Sequence, residues 1–352
     1  MSERNDIMTE PEQSEVGVAD GGRGRDVIAQ LFKFQSLFGL VLVFIAAVII
    51  SPRKNGEVLF LGSENLFNVV RSVSETGILA VGMTLVILIG GIDLSVGSVL
   101  GLASVGASVL LVEDGFGVIP AALLVLAIGL GFGLLQGIAS AKFGIQAFIV
   151  TLAGMQIARG LARIWSDGQG VSITYGDAPG QAPVLFSLLG ERTFNGLVPV
   201  PAVIFVVVAV LAGILLRVSA FSRHIYAIGG NEKAARLSGV PVVRVKVLVF
   251  GICGLLAALA GIVHAGQLNF GGPNDGSMYE LDAIAAVVIG GTSLTGGRGS
   301  VVGTVAGALL VGVLRNVLAL NGVDPNIQLL IVGLVIVFAA GLQQLRPASV
   351  NS

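Results

Sequence analysis

The sequence predicts an all-α polytopic membrane protein of about ten transmembrane segments, some short or broken, with both termini cytoplasmic. Three observations predict it. Of the 352 residues, 54% are hydrophobic and only 12% charged, and the mean hydropathy is +0.93, far from the composition of soluble domains. Apolar runs recur nearly from end to end. The chain also carries 51 glycines, which let membrane helices approach closely and tolerate breaks where they line a cavity.

In chain order, residues 1–34 are polar, rich in Glu, Gly and Arg, and lack the apolar core of a signal peptide. They are expected to be a disordered cytoplasmic tail. A membrane domain spans 35–345, with apolar segments at roughly 36–51, 76–92, 95–112, 118–140, 145–165, 199–218, 245–267, 282–293, 300–320 and 327–343. Residues 346–352 form a second cytoplasmic tail. The short runs 76–92 and 282–293 are bounded by Gly-rich turns and are candidates for broken or re-entrant helices.

Lys and Arg orient the chain. With both termini inside, Arg4, Arg23, Arg25, Lys33, Lys142, Arg217, Arg223, Lys233, Arg236, Arg244, Lys246, Arg298 and Arg346 fall on the inner side. Arg53, Lys54, Arg71 and Arg192 fall outside, a ratio of 13 to 4. The loop 166–198 and the acids Asp275, Glu280 and Asp282 then face outward. The net charge of −1 points to no partner, and none of nucleic-acid type is expected. Cys253 lies in an apolar run, so its expected role is packing. His224 and His264 are far apart in sequence, and no metal site is expected.

The cytoplasmic segment 219–244 is a polar island between two apolar runs. Its signals spell a short isolated helix. Asn231 suits the N-cap, Glu232 the first turn, and Arg236 lies four residues on, in the order that favours an ion pair. Gly239 suits the position just past the end, and Pro241 prevents continuation. Two turns are not stable alone in water, so this helix must lie against something. Ala234, Ala235 and Leu237 are expected either on its exposed face or against the chain's own inner surface.

Asp93 stands out among the polar residues, between an apolar run and Leu94-Ser95-Val96-Gly97-Ser98. An acid there either caps the helix that starts at Ser95 or serves transport directly, and capping is the reading preferred. Ile89–Gly97 is echoed by Ile289–Gly297, aligning Gly90 with Gly290. That suggests two similar broken elements, including Gly291, Thr292 and Ser293. The Gly-rich run 290–300 contains no Gly-Lys and cannot be a Walker A loop; it is expected to be a flexible turn packed between helices. Gln136, Gln146, Thr151, Gln156, Arg159 and Asn316 interrupt apolar runs and either line a pathway or bond between helices. Trp165 is expected to anchor an interface. No hydrolytic constellation is present and no soluble domain is large enough for a cofactor, so an enzyme is not expected.

Four blocks carry a family resemblance: Gly82–Ser98 (GMTLVILIGGIDLSVGS), Gln146–Leu152 (QAFIVTL), Tyr226–Gly239 (YAIGGNEKAARLSG) and Glu280–Leu294 (ELDAIAAVVIGGTSL). Together they resemble permease subunits of ribose-type bacterial ABC sugar importers, over about 36–343. The polar tail 1–34 is the main departure. The resemblance implies a plasma-membrane subunit that forms the path for a monosaccharide or polyol. It implies a second permease copy or paralogue, a sugar-binding protein, and a separate ATPase that binds ATP and Mg, leaving no cofactor in this chain. It also implies that the helix around 230–240, with Gly230, Asn231, Glu232, Ala235, Arg236, Leu237 and Gly239, couples to that ATPase. Pathway candidates are Asp93, Ser95, Gly97, Gln146, Thr151, Gln156, Gly291, Thr292 and Ser293. An ion-coupled secondary transporter is the alternative, weakened by an apparent scarcity of deep acids. A membrane scaffold is the third reading.

Overall fold

A computed structural model of the chain describes residues 35–193 and 198–344. Both expected tails lie outside the described residues. Among those residues the architecture is helical, in the order α1 Gln35–Ile50, α2 Ser63–Leu88, α3 Val96–Val112, α4 Val118–Ala141, α5 Ala147–Trp165, α6 Val200–Val218, α7 Ala220–Gly230, α8 Glu232–Leu237, α9 Val242–Leu268, α10 Tyr279–Ile289, α11 Val301–Leu320 and α12 Pro325–Gln344. Six of these, α2, α4, α5, α6, α9 and α11, are long and apolar enough to cross a membrane. The apolar helices α1, α3 and α12 and the 11-residue α10 accompany them.

Burial separates centre from rim. The most apolar windows of α2 and α9 are 78% and 67% buried, against 22% for α4 and α5. α3 is buried from Val96 to Leu111 on all sides, as a helix apolar all round must be in order to sit inside a bundle. Small residues bring backbones together. Gly129, Gly133 and Gly137 recur every fourth residue on α4 and lie against the backbone of α9 at Gly254, Phe250 and Val247. Between α10 and α11, Gly290 faces Gly303 and Gly307 faces Ala286 in the same way.

Short two-residue strands tie the loops. β1 (Arg53–Lys54) and β2 (Glu57–Val58) form a hairpin after α1. β3 (Val171–Ser172) pairs antiparallel with β6 (Phe270–Gly271), stapling the loop after α5 to the loop after α9. β4 (Arg192–Thr193) pairs with β5 (Val198–Pro199).

Two expectations about the short segments divide. The run at 282–293 is a short helix, α10. The run at 76–92 is not short: α2 begins at Ser63 and is 26 residues long. Its first half carries Glu64, Asn65, Asn68, Arg71, Ser72, Glu75 and Thr76, which break the hydropathy but not the helix. Trp165, the last residue of α5, is half-buried with its ring against Gly106 of α3.

Candidate functional site

The polar island contains two helices. Ser219 caps α7, its side chain accepting from the Ser222 N–H at 3.0 Å, and α7 buries Ser222, Ile225 and Ile228 at three-residue spacing. That cap and that spacing were readable, and α8 is therefore not isolated. Asn231 ends α7 in extended backbone and caps α8, accepting from the Ala234 N–H at 3.0 Å. Glu232 takes Arg236 at 3.2 Å and, more closely, Lys246 of α9 at 2.6 Å. Burial works against its charge, but the Lys246 ammonium and the Arg236 guanidinium prevail and hold the carboxyl below its usual range. Gly239 has φ of +83°, and bonds from Gly239 N–H to Arg236 O and Val240 N–H to Ala235 O close a Schellman end.

α8 divides these residues between its two faces. Ala235 is buried and faces the chain's own bundle, because the bonds that fix α8 to α9 turn it inward. Leu237 is 90% exposed, with Ala234 and Arg236 also exposed, so a large apolar side chain stands on a charged surface. A cavity of about 340 Å³ separates α8 from the turn at Gly90–Gly91, with Gln146, Glu232, Arg236 and Lys246 on its walls.

Behind this surface three glycine turns meet. A side chain at Gly229, at the end of α7, would collide with the carbonyl of Leu88 and the amide of Gly297. Gly297 N–H donates to Leu88 O at 2.9 Å, and Tyr226 Oη donates to Gly299 O at 2.9 Å. The end of α7 therefore touches both the exit of α2 and the loop between α10 and α11, backbone on backbone. The expected flexible turn at 290–300 is held by these contacts and by a bond from Ser293 N–H to Arg298 O. Thr292 is buried there, its hydroxyl without a hydrogen-bond partner among the described residues, while Gly291 and Ser293 are half-buried.

Asp93 is buried and accepts from both the N–H and the hydroxyl of Ser95, at 2.8 and 2.6 Å, which makes it the cap of the turn into α3. Gln136 of α4 donates to Ser95 Oγ at 2.9 Å, and Thr151 of α5 donates to Ile92 O at 3.1 Å. Asp93, Ser95 and Thr151 thus meet in one packed joint, whereas Gly97 lies apart against Gly276 and Glu280. Gln146 caps no group; it precedes α5 beside α8. Gln156 is exposed on the outer face of α5.

Acids are also buried at the other end of the bundle, contrary to the expected scarcity. Glu75 of α2 meets His264 Nδ1 at 2.7 Å, and His264 Nε2 lies 3.5 Å from Asp275. Ser104 donates to Asp275, and Arg159 donates to Pro273 O and Asp275 O. Asp282 of α10 binds Arg315 of α11 at 2.5 Å. Asp275 and Asp282 are therefore packed against partners, not left in open loop; sequence spacing could not show this because the partners come from other helices. Beside the last pair lies a polar cavity of about 340 Å³ between α2, α10, α11 and α12. Asn65 and Asn316 exchange two hydrogen bonds at 2.8 and 3.0 Å near it.

Comparison with known proteins places this geometry. The family described as "Branched-chain amino acid transport system / permease component" matches residues 65–340. The ribose import permease protein RbsC of Bacillus subtilis is 42% identical over 90% of this chain and 94% of its own length. RbsC of Escherichia coli K12 is 42% identical over 90% and 95%, and the L-arabinose transport system permease protein AraH of the same strain is 38% identical over 87% and 89%. No solved structure matches. With the family covering most of the chain and the RbsC proteins aligning across its whole membrane region, this chain belongs to the ribose-type permeases of ABC importers, transport subunits whose ATPase is a separate polypeptide.

Proposed function

We propose that this chain forms the membrane path for a monosaccharide in an ATP-driven importer, and that α8 is where the partner ATPase docks. The relatives' named cargoes are ribose, L-arabinose and xylose, which sets the class: a small neutral sugar or related polyol. One observation carries the coupling role. A capped, ion-paired helix presents Leu237 at 90% exposure, and the glycine contacts of α7 lie directly behind it. An exposed apolar residue on a rigid polar surface is what a groove in a partner takes as an anchor. Displacement of α7–α8 would pass through Gly229 into the exit of α2 and the α10–α11 loop, a rigid-body relay between packed elements.

In this reading the ten apolar helices lie in the bacterial plasma membrane with both chain ends in the cytoplasm, following the 13 to 4 distribution of Lys and Arg. The exposed face of α5 around Gln156 meets a second permease, and Gln156 borders the path. A sugar-binding protein delivers cargo to the outer face. ATP and Mg stay with the ATPase, and this chain holds no cofactor.

The test is co-purification of the ATPase, followed by ATP-dependent sugar uptake in proteoliposomes containing all subunits. Leu237→Asp is expected to weaken docking by at least tenfold, about 1.4 kcal/mol, and to lower uptake with it. Normal ATPase binding by L237D would overturn the docking role. Sugar uptake by the isolated chain under an ion gradient would overturn the ATP-driven reading in favour of secondary transport.

A further inference from the structure

We propose that the groove between α1, α6 and α11 is a binding site for one anionic phospholipid of the surrounding bilayer, with its phosphate on Arg217 and an acyl chain along α6. This rests on the membrane placement proposed above and not on the cargo. The groove holds about 770 Å³, and Arg217 is the one charged or hydrogen-bonding side chain among those that line it. On α6, Val206, Val210, Gly213 and Arg217 fall at helical spacing on a single face, so the apolar stripe ends on the guanidinium. Val302 and Val305 of α11 form the facing wall. Val206, Val210 and Val302 are exposed, so the described helices leave the groove open. Gly213 helps to keep it so, since a side-chain carbon there would meet nothing within 4 Å.

Length selects the tail. From Val206 to Arg217 the helix rises about 16 Å, close to half of a roughly 30 Å hydrocarbon core, which is the reach of one leaflet. Charge selects the head. Arg217 makes no ion pair among the described residues. The polar island that follows it adds Arg223, Lys233 and Arg244, all exposed. The acids of this end are already committed, Asp93 to Ser95, and Glu232 to Lys246 and Arg236. A phosphate from outside the chain meets that need, because a guanidinium takes it through paired, charge-assisted hydrogen bonds. Basic pockets between membrane helices recognise anionic headgroups in this way. Other occupants fit less well. A sugar finds no neutral hydrogen-bonding side chain there. An apolar helix of a second copy would shut Arg217 into hydrocarbon without a counter-ion. A lipid seated here would brace α6, which leads into α7, against α11, which follows the glycine turn on which α7 bears.

The test is native mass spectrometry of the purified full-length chain in detergent. It is titrated with dioleoyl phosphatidylglycerol, or with dioleoyl phosphatidylcholine, which has the same tails and no net charge. The wild type is expected to bind the anionic lipid at least tenfold more tightly. Arg217→Gln should abolish that preference. Gly213→Phe, which plugs the groove without meeting protein, should weaken both lipids at least fivefold while the thermal midpoint holds. Arg223→Gln, a surface change outside the groove, should alter neither. Equal affinity of the wild type for the two lipids, an undiminished preference in R217Q, or unweakened binding by a folded G213F would each overturn the proposal. So would an equal loss in R223Q, which would mean diffuse attraction to surface charge. If G213F lowers the midpoint, R217Q decides alone. Binding is read without transport, so the sugar-transport reading can fail while this one stands, and the reverse.

Discussion

Two regions use the same local device and end differently. α2 exits through Gly90, with Gly90 N–H on Ile87 O and Gly91 N–H on Val86 O; α10 exits through Gly291, with Gly291 N–H on Val288 O and Thr292 N–H on Val287 O. Both glycines have positive φ, +77° and +87°, so both ends are the same Schellman turn. The two ends thus share a local turn, but with Gly90 matching Gly291, one residue from the alignment that the repeated Ile-Gly-Gly suggests. The first turn is sealed within a few residues by Asp93, Ser95 and Gln136, and α3 starts at Val96. The second runs on to Ser300 before α11 starts, and its glycines rest on the end of α7. One turn is a fixed joint inside the bundle. The other is a bearing surface against the end of α7.

The largest effect should come from breaking the bearing. Gly229→Leu places carbon where the Leu88 carbonyl and the Gly297 amide already sit, and backbone cannot swing aside as a flexible side chain can. Overpacking of this kind costs about 1–3 kcal/mol, and uptake by the assembled importer should fall to background while the ATPase still co-purifies. Breaking the joint should cost stability first. Asp93→Ala leaves the Ser95 N–H buried without its acceptor, about 1–3 kcal/mol, read as a lower thermal midpoint in detergent. Asp93→Asn keeps an accepting oxygen and should recover most of that loss; equal loss in both variants would show that charge, not capping, is what the site needs.

The bond between the two elements gives a smaller, sharper test. Thr84 and Thr304 join α2 to α11, so Thr84→Val and Thr304→Val should each cost about 1 kcal/mol, and the double variant less than their sum. Simple additivity in the melting data would mean that the contact carries no coupling. The smallest effect belongs to Glu232. Its folded carboxyl lies below the ordinary value of 4.5, so its ion pairs stabilise α8 fully above that pH. The contribution is lost as pH falls through the folded value. With the side chain 40% exposed, solvent screening limits it to a few tenths of a kcal/mol. Hydrogen exchange of the α8 amides should separate Glu232→Gln from wild type at neutral pH and bring the two together in acid.

Legibility followed the range of each interaction. Asn231, Glu232, Arg236 and Gly239 act within one or two turns, and each took the position its chemistry required. Asp93 capped the turn it preceded for the same reason. α7 was missed because only the Asn231 cap within the polar island 219–244 was taken as a helix start, not that of Ser219. The first half of α2 was missed because hydropathy equates polar with non-membrane, whereas Asn68, Ser72 and Thr76 face a cavity and Glu75 faces His264. The face of Ala235 was not decidable from sequence because Lys246, which helps to set the tilt of α8, lies 14 residues away from Glu232.

By itself, then, the sequence determined the membrane class, the order of the apolar helices, the caps and glycine ends, and the family, all of which depend on neighbours along the chain. Tertiary structure decided which acids meet which bases, that Gly229 bears on Leu88 and Gly297, and where a polar cavity opens. Those features need partners more than a hundred residues apart in places, as with Gly229 and Leu88 or Thr84 and Thr304. No local pattern encodes such pairings, because small residues allow many helix contacts and only packing of the whole bundle selects one.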